Sequence, residues 1–291
     1  MRSCGRLLPV IIIIAWWIYD LQFQWRALID YQYGWLVAFM AAYLTWERWP
    51  TRPRDDQPAR NWVAVALALM GAPFVLVAEL YKHAVAHMPA ASFSLSIGCV
   101  CFLFAAILAG FGPRILRHFL FPILFLFVAV PLPHVLWNPI VTSLRELITS
   151  MNVATLKILG IPAIQQVNVI RLPNCLVGVD EACSGVRSLQ SSIMAALFIG
   201  DLTLKSSGIK WLFFLAGIAL AIIGNYIRSL YLTLTAYHHG LEAIQAAHDM
   251  AGWSILIGTA CGLILLAILA NRLEKRARAT APPLANSIRN P

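Results

Sequence analysis

Apolar segments of membrane-spanning length recur along almost the whole chain, and they constrain its fold more than any other feature. A membrane helix needs about 20 mostly apolar residues. Eight segments approach or reach that length, at residues 7–23, 31–46, 62–81, 91–112, 118–137, 184–204, 210–231 and 250–270. The first two are short or carry polar residues. The pattern predicts an all-α integral membrane protein, a polytopic bundle of about eight transmembrane helices.

The composition excludes a soluble domain, and the distribution of the charged residues explains the net positive charge. Only 12% of the residues are charged and 60% are apolar, whereas soluble domains carry roughly 25% charged residues. The net charge of +9 follows the loops of one face: 15 of the 22 Lys and Arg fall on the inner side if the N-terminus is inside, and 7 on the outer side. This split supports eight spans with both termini cytoplasmic. Six or seven spans would break the alternation.

The chain divides into four stretches by this topology. They are residues 1–137 with transmembrane helices 1–5, residues 138–183 as a periplasmic segment, residues 184–270 with transmembrane helices 6–8, and residues 271–291 as a basic cytoplasmic tail.

The periplasmic segment carries two local patterns of its own. Residues 140–158 have apolar residues at helical spacing with few charges, which predicts an amphipathic helix at the outer face. Residues 165–179 alternate and contain Pro173 and Asn174 near their centre, which predicts a short β-hairpin before the sixth span. The hairpin leads into Cys183.

Three polar groups suited to acyl-transfer chemistry lie near ends of the last three spans. Cys183 precedes the sixth span, where a helix N-terminus and a nearby cation favour a thiolate, and Arg187 follows one turn later. Arg228 lies within the seventh span, where a charge usually faces a partner or a polar cavity. Asn225 shares the helical face of Arg228. His248 opens the eighth span and supplies a general acid or base. The topology places all three ends on the outer face.

Each group also has a simpler explanation. Cys183 can be a packing residue or form a disulfide with Cys175, Arg228 can extend to the head groups, and His248 can be merely solvated. His238 and His239 in the same outer loop are rival imidazoles. The six Cys contain no CxxC pair and the seven His no metal-binding spacing, so we expect no metal and no cofactor.

Taken together, these strings resemble a known family. Glu-Ala-Cys183-Ser-Gly-Val-Arg, Asn-Tyr-Ile-Arg228 and the later His248 look like the motif set of the exosortase/archaeosortase transpeptidases, over roughly residues 120–270. The resemblance implies a membrane cysteine endopeptidase/transpeptidase with Cys183 as nucleophile, Arg228 as catalytic arginine and His248 as acid/base. Its substrates would be secreted proteins with a C-terminal PEP-CTERM sorting signal, which are cleaved through a thioester and passed to an envelope or extracellular acceptor, in association with exopolysaccharide production.

Supporting roles and partners follow from the same resemblance and from the residues. Asn225 and Arg187 are candidate oxyanion or supporting donors, and Glu181 is a candidate to orient one of the two arginines. The expected partners are PEP-CTERM proteins and membrane lipid, with no nucleic acid. The oligomeric state and the acceptor stay open.

Two other functional classes fit the same composition. A transporter or export component for lipid-linked sugar or polysaccharide would use Arg228 and His248 to line a path, and would work without Cys183. Such proteins often show paired, broken helices in two related halves, and the chain has no internal repeat. A catalytically silent scaffold for polysaccharide assembly would tolerate substitution of all three groups.

Overall fold

Helices make up nearly all of the described chain. The computed structural model describes residues 2–53, 61–85, 88–178 and 186–280. The helices are α1 (Arg2–Ala27), α2 (Gly34–Arg48), α3 (Asn61–Ala84), α4 (Pro89–Phe111), α5 (Pro113–Phe125), α6 (His134–Ile158), α7 (Val186–Thr203), α8 (Ser207–His239) and α9 (Leu241–Thr280). Short 3₁₀ turns lie at Ile29–Tyr31 and Leu126–Ala129. The structure is 85% helical, which confirms the predicted all-α membrane class.

Fewer described helices are long and apolar enough to cross a membrane than the eight predicted. Five described helices can cross a membrane by these criteria, namely α1, α3, α4, α8 and α9, or six if α5 with its 3₁₀ turn and α6 form one bent span. Helix α2 has 15 residues, about 22 Å at 1.5 Å per residue, shorter than a hydrocarbon core of about 30 Å. Helix α7 is a continuous helix of 18 residues, but it carries several serines and a glutamine and does not meet these criteria. The count of eight stays a prediction.

The predicted span over 118–137 is not one continuous helix. Helix α5 ends at Phe125, and α6 begins at His134 after a Pro-Leu-Pro sequence at 131–133. Proline has no N–H to continue the helical ladder, and it disfavours helical backbone in the preceding residue. The helix predicted at 140–158 is present but starts six residues earlier, at His134.

The predicted hairpin is part of a three-stranded antiparallel sheet. Strands β1 (Ile164–Gln166), β2 (Val169–Arg171) and β3 (Leu176–Gly178) pair in the order β1-β2-β3. The Pro-Asn turn connects β2 to β3, and the Leu172 N–H donates to the Cys175 carbonyl across it at 2.9 Å. The additional strand β1 joins β2 through a turn in which Val167 has φ 55°.

The chain forms two compact units, residues 1–140 and 141–291. In the first unit, α3 and α4 approach closely at two glycines. A Cβ added at Gly71 would lie 2.7 Å from the Cβ of Cys101, and one added at Gly98 would lie 2.5 Å from a methyl of Val75. Small residues at such crossings bring helix backbones together, which favours association of membrane helices.

In the second unit, the sheet and the loop between α7 and α8 are fixed to the long helices. The buried side chains of Ile170 and Val177 pack in one cluster with residues of α6 and with Ala236 of α8. At the other end of α8, the buried Glu274 carboxylate accepts hydrogen bonds from the backbone N–H groups of Lys205 and Ser206, at 2.7–3.2 Å. These contacts hold α8 at both ends.

Candidate active site

Helices α8 and α9 form a helical hairpin whose register brings the site residues together. Gly240 ends α8 with φ 86°, a conformation that suits glycine, and α9 begins at the next residue. Arg228 precedes Gly240 by 12 residues (240 − 228) and Gly252 follows it by 12 (252 − 240), so the two positions face each other. His248 lies one turn from Gly252, and the Nη2 of Arg228 is 3.0 Å from its Nε2.

The position of His248 differs from the sequence prediction in one respect. It was expected to open the eighth span, but α9 begins at Leu241, seven residues earlier. The residues between are mostly helix formers such as Ala, Glu and Gln, so the helix continues beyond its apolar part. His248 therefore has helical backbone on both sides, which restricts its orientation more than a helix start would.

The hydrogen bond between Arg228 and His248 has a fixed direction. A guanidinium has only donors, so the Nε2 of His248 accepts. The Nδ1 of His248 lies 3.3 Å from an Asp249 carboxylate oxygen, and an ionised carboxylate can only accept, so Nδ1 carries the proton. The arrangement thus describes a neutral imidazole whose basic nitrogen points at a cation.

A cavity of about 360 Å³ with a mixed polar and apolar lining lies among α7, α8 and α9. It is lined by residues of all three helices, and Arg187, Asn225 and Arg228 are among them. A second cavity of about 210 Å³ is lined by Arg228, His248 and neighbouring residues of α9. Arg228 and Gly252 line both cavities. Four of the predicted site residues therefore line two cavities that share Arg228.

Asn225 lines the first cavity and is almost fully buried. It lies one turn before Arg228 on α8, with 2% of its surface exposed. Within the part of the chain that the structure describes, its Nδ2 has no hydrogen-bond partner. A buried amide without a partner costs about 1–3 kcal/mol. The Nδ2 atom is itself enclosed by protein, next to the cavity that Asn225 lines.

Cys183 and Glu181 lie outside the described residues. The described chain reaches Gly178 at the end of β3 and resumes at Val186, the first residue of α7. The next residue, Arg187, lines the cavity. The roles predicted for the thiol and for Glu181 stay predictions.

The two rival imidazoles do not line either cavity. His238 and His239 end α8 and are both exposed. They lie 10 and 11 residues beyond Arg228, about 15 Å along the helix. The geometry therefore favours His248 over both as the imidazole that acts together with Arg228.

The rival thiol, Cys175, is free and partly buried at the Pro-Asn turn. Its Sγ lies 3.9 Å from the Ala236 carbonyl, to which the S–H can donate. Burial raises the pKa of the Cys175 thiol above its ordinary value, so the reactive thiolate is scarcer at neutral pH than in an exposed cysteine.

We predict slow maleimide labelling of Cys175 at pH 7 in a protein that retains no other cysteine. Because the pKa is raised, the thiolate fraction and the rate should keep increasing as the pH rises past 9. The rate at each pH, measured by mass shift, is compared with that of an unstructured cysteine peptide. Labelling of Cys175 at pH 7 as fast as the peptide would contradict the prediction.

Sequence reasoning missed a set of small residues that shape the cavity. Helix α7 contributes polar groups one turn apart, and α9 contributes a glycine and a threonine; these are Ser188, Ser191, Ser192, Gly252 and Thr259. The spacing of the serines after Arg187 is a helical-face signal that could have indicated them.

We predict that the side-chain volume at position 252 controls activity. A Cβ at Gly252 would lie 3.6 Å from the Nη2 of Arg228, an ordinary contact, so Gly252→Ala should retain most activity. Gly252→Leu fills the space of the guanidinium and should lower activity about 100-fold, as misplacement of a catalytic group by 1 Å can do. Substrate processing is measured by immunoblot.

The matched control for this series is Gly258 on the same helix. A Cβ at Gly258 meets nothing within 4 Å, so Gly258→Leu should process substrate normally. Equal losses in Gly252→Leu and Gly258→Leu at matched membrane levels would show that helix destabilisation, and not displacement of Arg228, is responsible.

The apolar helices and the cavities among α7, α8 and α9 define a multi-pass membrane protein with charged and polar side chains lining a cavity between its last helices. A family model described as transmembrane exosortase (Exosortase_EpsH) matches residues 25–266, most of the chain. The chain therefore belongs to the transmembrane exosortase family, whose members are membrane-embedded cysteine-type transpeptidases or proteases. This confirms the resemblance seen in the motifs. No curated protein and no solved structure matches the chain.

Proposed function

We propose that this protein is a cysteine transpeptidase that cleaves the C-terminal PEP-CTERM signal of secreted proteins and transfers them to an envelope or extracellular acceptor. Family membership supports a membrane transpeptidase that acts on proteins with sorting signals. The observation that carries the assignment to particular residues is the 3.0 Å contact between Arg228 and His248. The link to exopolysaccharide production is part of the same proposal.

The proposed reaction has two halves. In the first, neutral His248 takes the proton of the Cys183 thiol, the resulting thiolate adds to a backbone carbonyl carbon, the C–N bond breaks, and His248 gives the proton to the leaving amine. In the second, an acceptor amine, hydroxyl or water loses its proton to His248 and attacks the thioester, which releases the thiolate. The neutral imidazole described above is the form that accepts a proton, as the second half requires.

Arg228 is proposed to stabilise negative charge at the reacting centre. Its guanidinium lines both cavities, so it can face the substrate oxyanion or the thiolate. The buried Asn225 amide supplies a second, uncharged donor for the oxyanion. Arg187 lines the same cavity, and Glu181 is proposed to orient one of the arginines.

The chain near the nucleophile limits where the thiol can lie. Arg187 follows Cys183 by four positions (187 − 183), and four residues span at most about 14 Å when fully extended. The nucleophile is therefore within reach of the cavity that Arg187 lines. The charge asymmetry of the loops supports the rest of the proposal, an inner-membrane protein with a periplasmic site and cytoplasmic termini.

Co-expression with a PEP-CTERM substrate tests the proposed function. A secreted reporter ending in a Pro-Glu-Pro-like motif, an apolar helix and a basic tail should lose the helix and tail only when this protein is present. Brief treatment with hydroxylamine, which cleaves thioesters, should release trapped reporter from the enzyme. A reporter that stays full-length, or is exported intact, would favour the transporter alternative.

A further inference from the structure

An apolar cavity in the first unit is lined by none of the residues that the proposed reaction uses. Its volume is about 290 Å³, and it lies among α1, α2, α4 and α5. Its described lining comprises nine aliphatic or phenyl side chains and Trp49, with Thr45 and Arg52 as the polar exceptions. No described lining residue is acidic. The cavity is therefore an apolar slot with one cationic side chain.

The slot is elongated along the helices. Two of its walls are rows of side chains at one-turn spacing: Leu103, Ile107 and Phe111 on α4, and Ile115, Phe119 and Ile123 on α5. Each row covers nine residues of helix, and its eight steps of 1.5 Å give a length of about 12 Å. One leaflet of the hydrocarbon core is about 15 Å thick. The slot thus matches the depth of a single acyl chain.

The mouth of the slot carries the features of a membrane surface. The Arg52 guanidinium lies over the Trp49 ring at 4.7 Å and donates to the Trp49 carbonyl at 2.9 Å. Tryptophan is enriched at the head-group level. Two more cations lie at neighbouring helix ends, where Arg6 donates to the Gly110 carbonyl and Arg48 donates to the His118 carbonyl.

We propose that this slot binds an acyl chain of an anionic phospholipid, with the phosphate at Arg52. The aliphatic and phenyl walls exclude a polar ligand, and the cationic mouth favours a lipid with net negative charge over a zwitterionic one. The mouth lies on the face where Lys and Arg concentrate, which by the charge rule is cytoplasmic, and basic pockets between helices on that side suit anionic head groups. The site is independent of the proposed catalytic function.

Native mass spectrometry of the purified protein in detergent tests the proposal. Phosphatidylglycerol and phosphatidylcholine with identical acyl chains are added in turn, and bound lipid is counted. The wild type should retain phosphatidylglycerol preferentially. Arg52→Gln should weaken its retention about fivefold, the contribution of one cation near the surface. Ile107→Trp should fill the slot and abolish retention of both lipids.

Arg272→Gln is the matched control, since Arg272 is an exposed arginine of α9 that does not line the slot. Thermal unfolding verifies the fold of each variant, and Arg52→Gln serves alone if Ile107→Trp does not fold. The proposal is overturned if the wild type retains both lipids equally, or if Arg272→Gln weakens retention as much as Arg52→Gln. It is also overturned if soluble glycerol phosphate displaces the lipid at comparable concentration, because the acyl chain would then contribute nothing.

Discussion

Replacing Cys183 by alanine or by serine is expected to abolish processing of the sorting signal, with a loss on the order of 10⁴-fold or more. Removal of a covalent nucleophile leaves only the contributions of substrate binding and oxyanion stabilisation. Serine should not replace cysteine as the nucleophile. A hydroxyl attacks a carbonyl only when an adjacent base removes its proton, whereas a cysteine is already a few per cent thiolate at pH 7. Reporter length on an immunoblot is the measurement.

Two other cysteines provide controls for this loss. Cys175→Ala removes the rival thiol at the Pro-Asn turn, and Cys261→Ala removes an exposed thiol of α9. Both variants should process the reporter normally. If Cys175→Ala abolishes processing while Cys183→Ala does not, the nucleophile is Cys175. If Cys183→Ala and Cys183→Ser both process normally, the chemistry does not use a cysteine at this position.

The sequence predicts the class of fold better than the limits of its helices. Hydropathy identifies apolar stretches, and these lie within the observed helices α8 and α9. It does not identify the first turns of α9, at 241–249, because helix formers such as Ala, Glu and Gln continue the backbone hydrogen bonds whether or not the side chains are apolar. In the opposite sense, an apolar stretch at 118–137 is broken by Pro131 and Pro133, since proline interrupts the helix without lowering apolarity.

The candidate site was predictable in its components and not in its arrangement. Charge asymmetry and span counting predict that Arg228 and His248 lie at the same membrane face, and helical spacing predicts that Asn225 and Arg228 share a face. The contact itself depends on the turn at Gly240, which fixes the register of α9 against α8. A search for reactive groups overlooks Gly252, because this glycine contributes only the space that it leaves for the Arg228 guanidinium.

Substitution of Arg228 and His248, singly and together, tests whether the two side chains act as one unit. His248→Gln removes the acid/base and should lower processing by about 10²–10⁴-fold. Arg228→Gln removes the charged donor and should lower it by about 10²–10³-fold. The two side chains are hydrogen-bonded at 3.0 Å. Each single substitution therefore also removes the contact that orients the other side chain.

The double variant should therefore be only slightly less active than the less active of the two single variants. Catalytic groups that act as a unit are strongly non-additive, since the second substitution removes a group that the first has already disabled. Arg228→Lys keeps the charge but loses the planar donor set, so it should recover only part of the activity. His239→Gln, at an exposed imidazole outside both cavities, should process the reporter normally. Losses that multiply in the double variant would mean that the two residues serve separate steps, and that their contact is not required for the reaction.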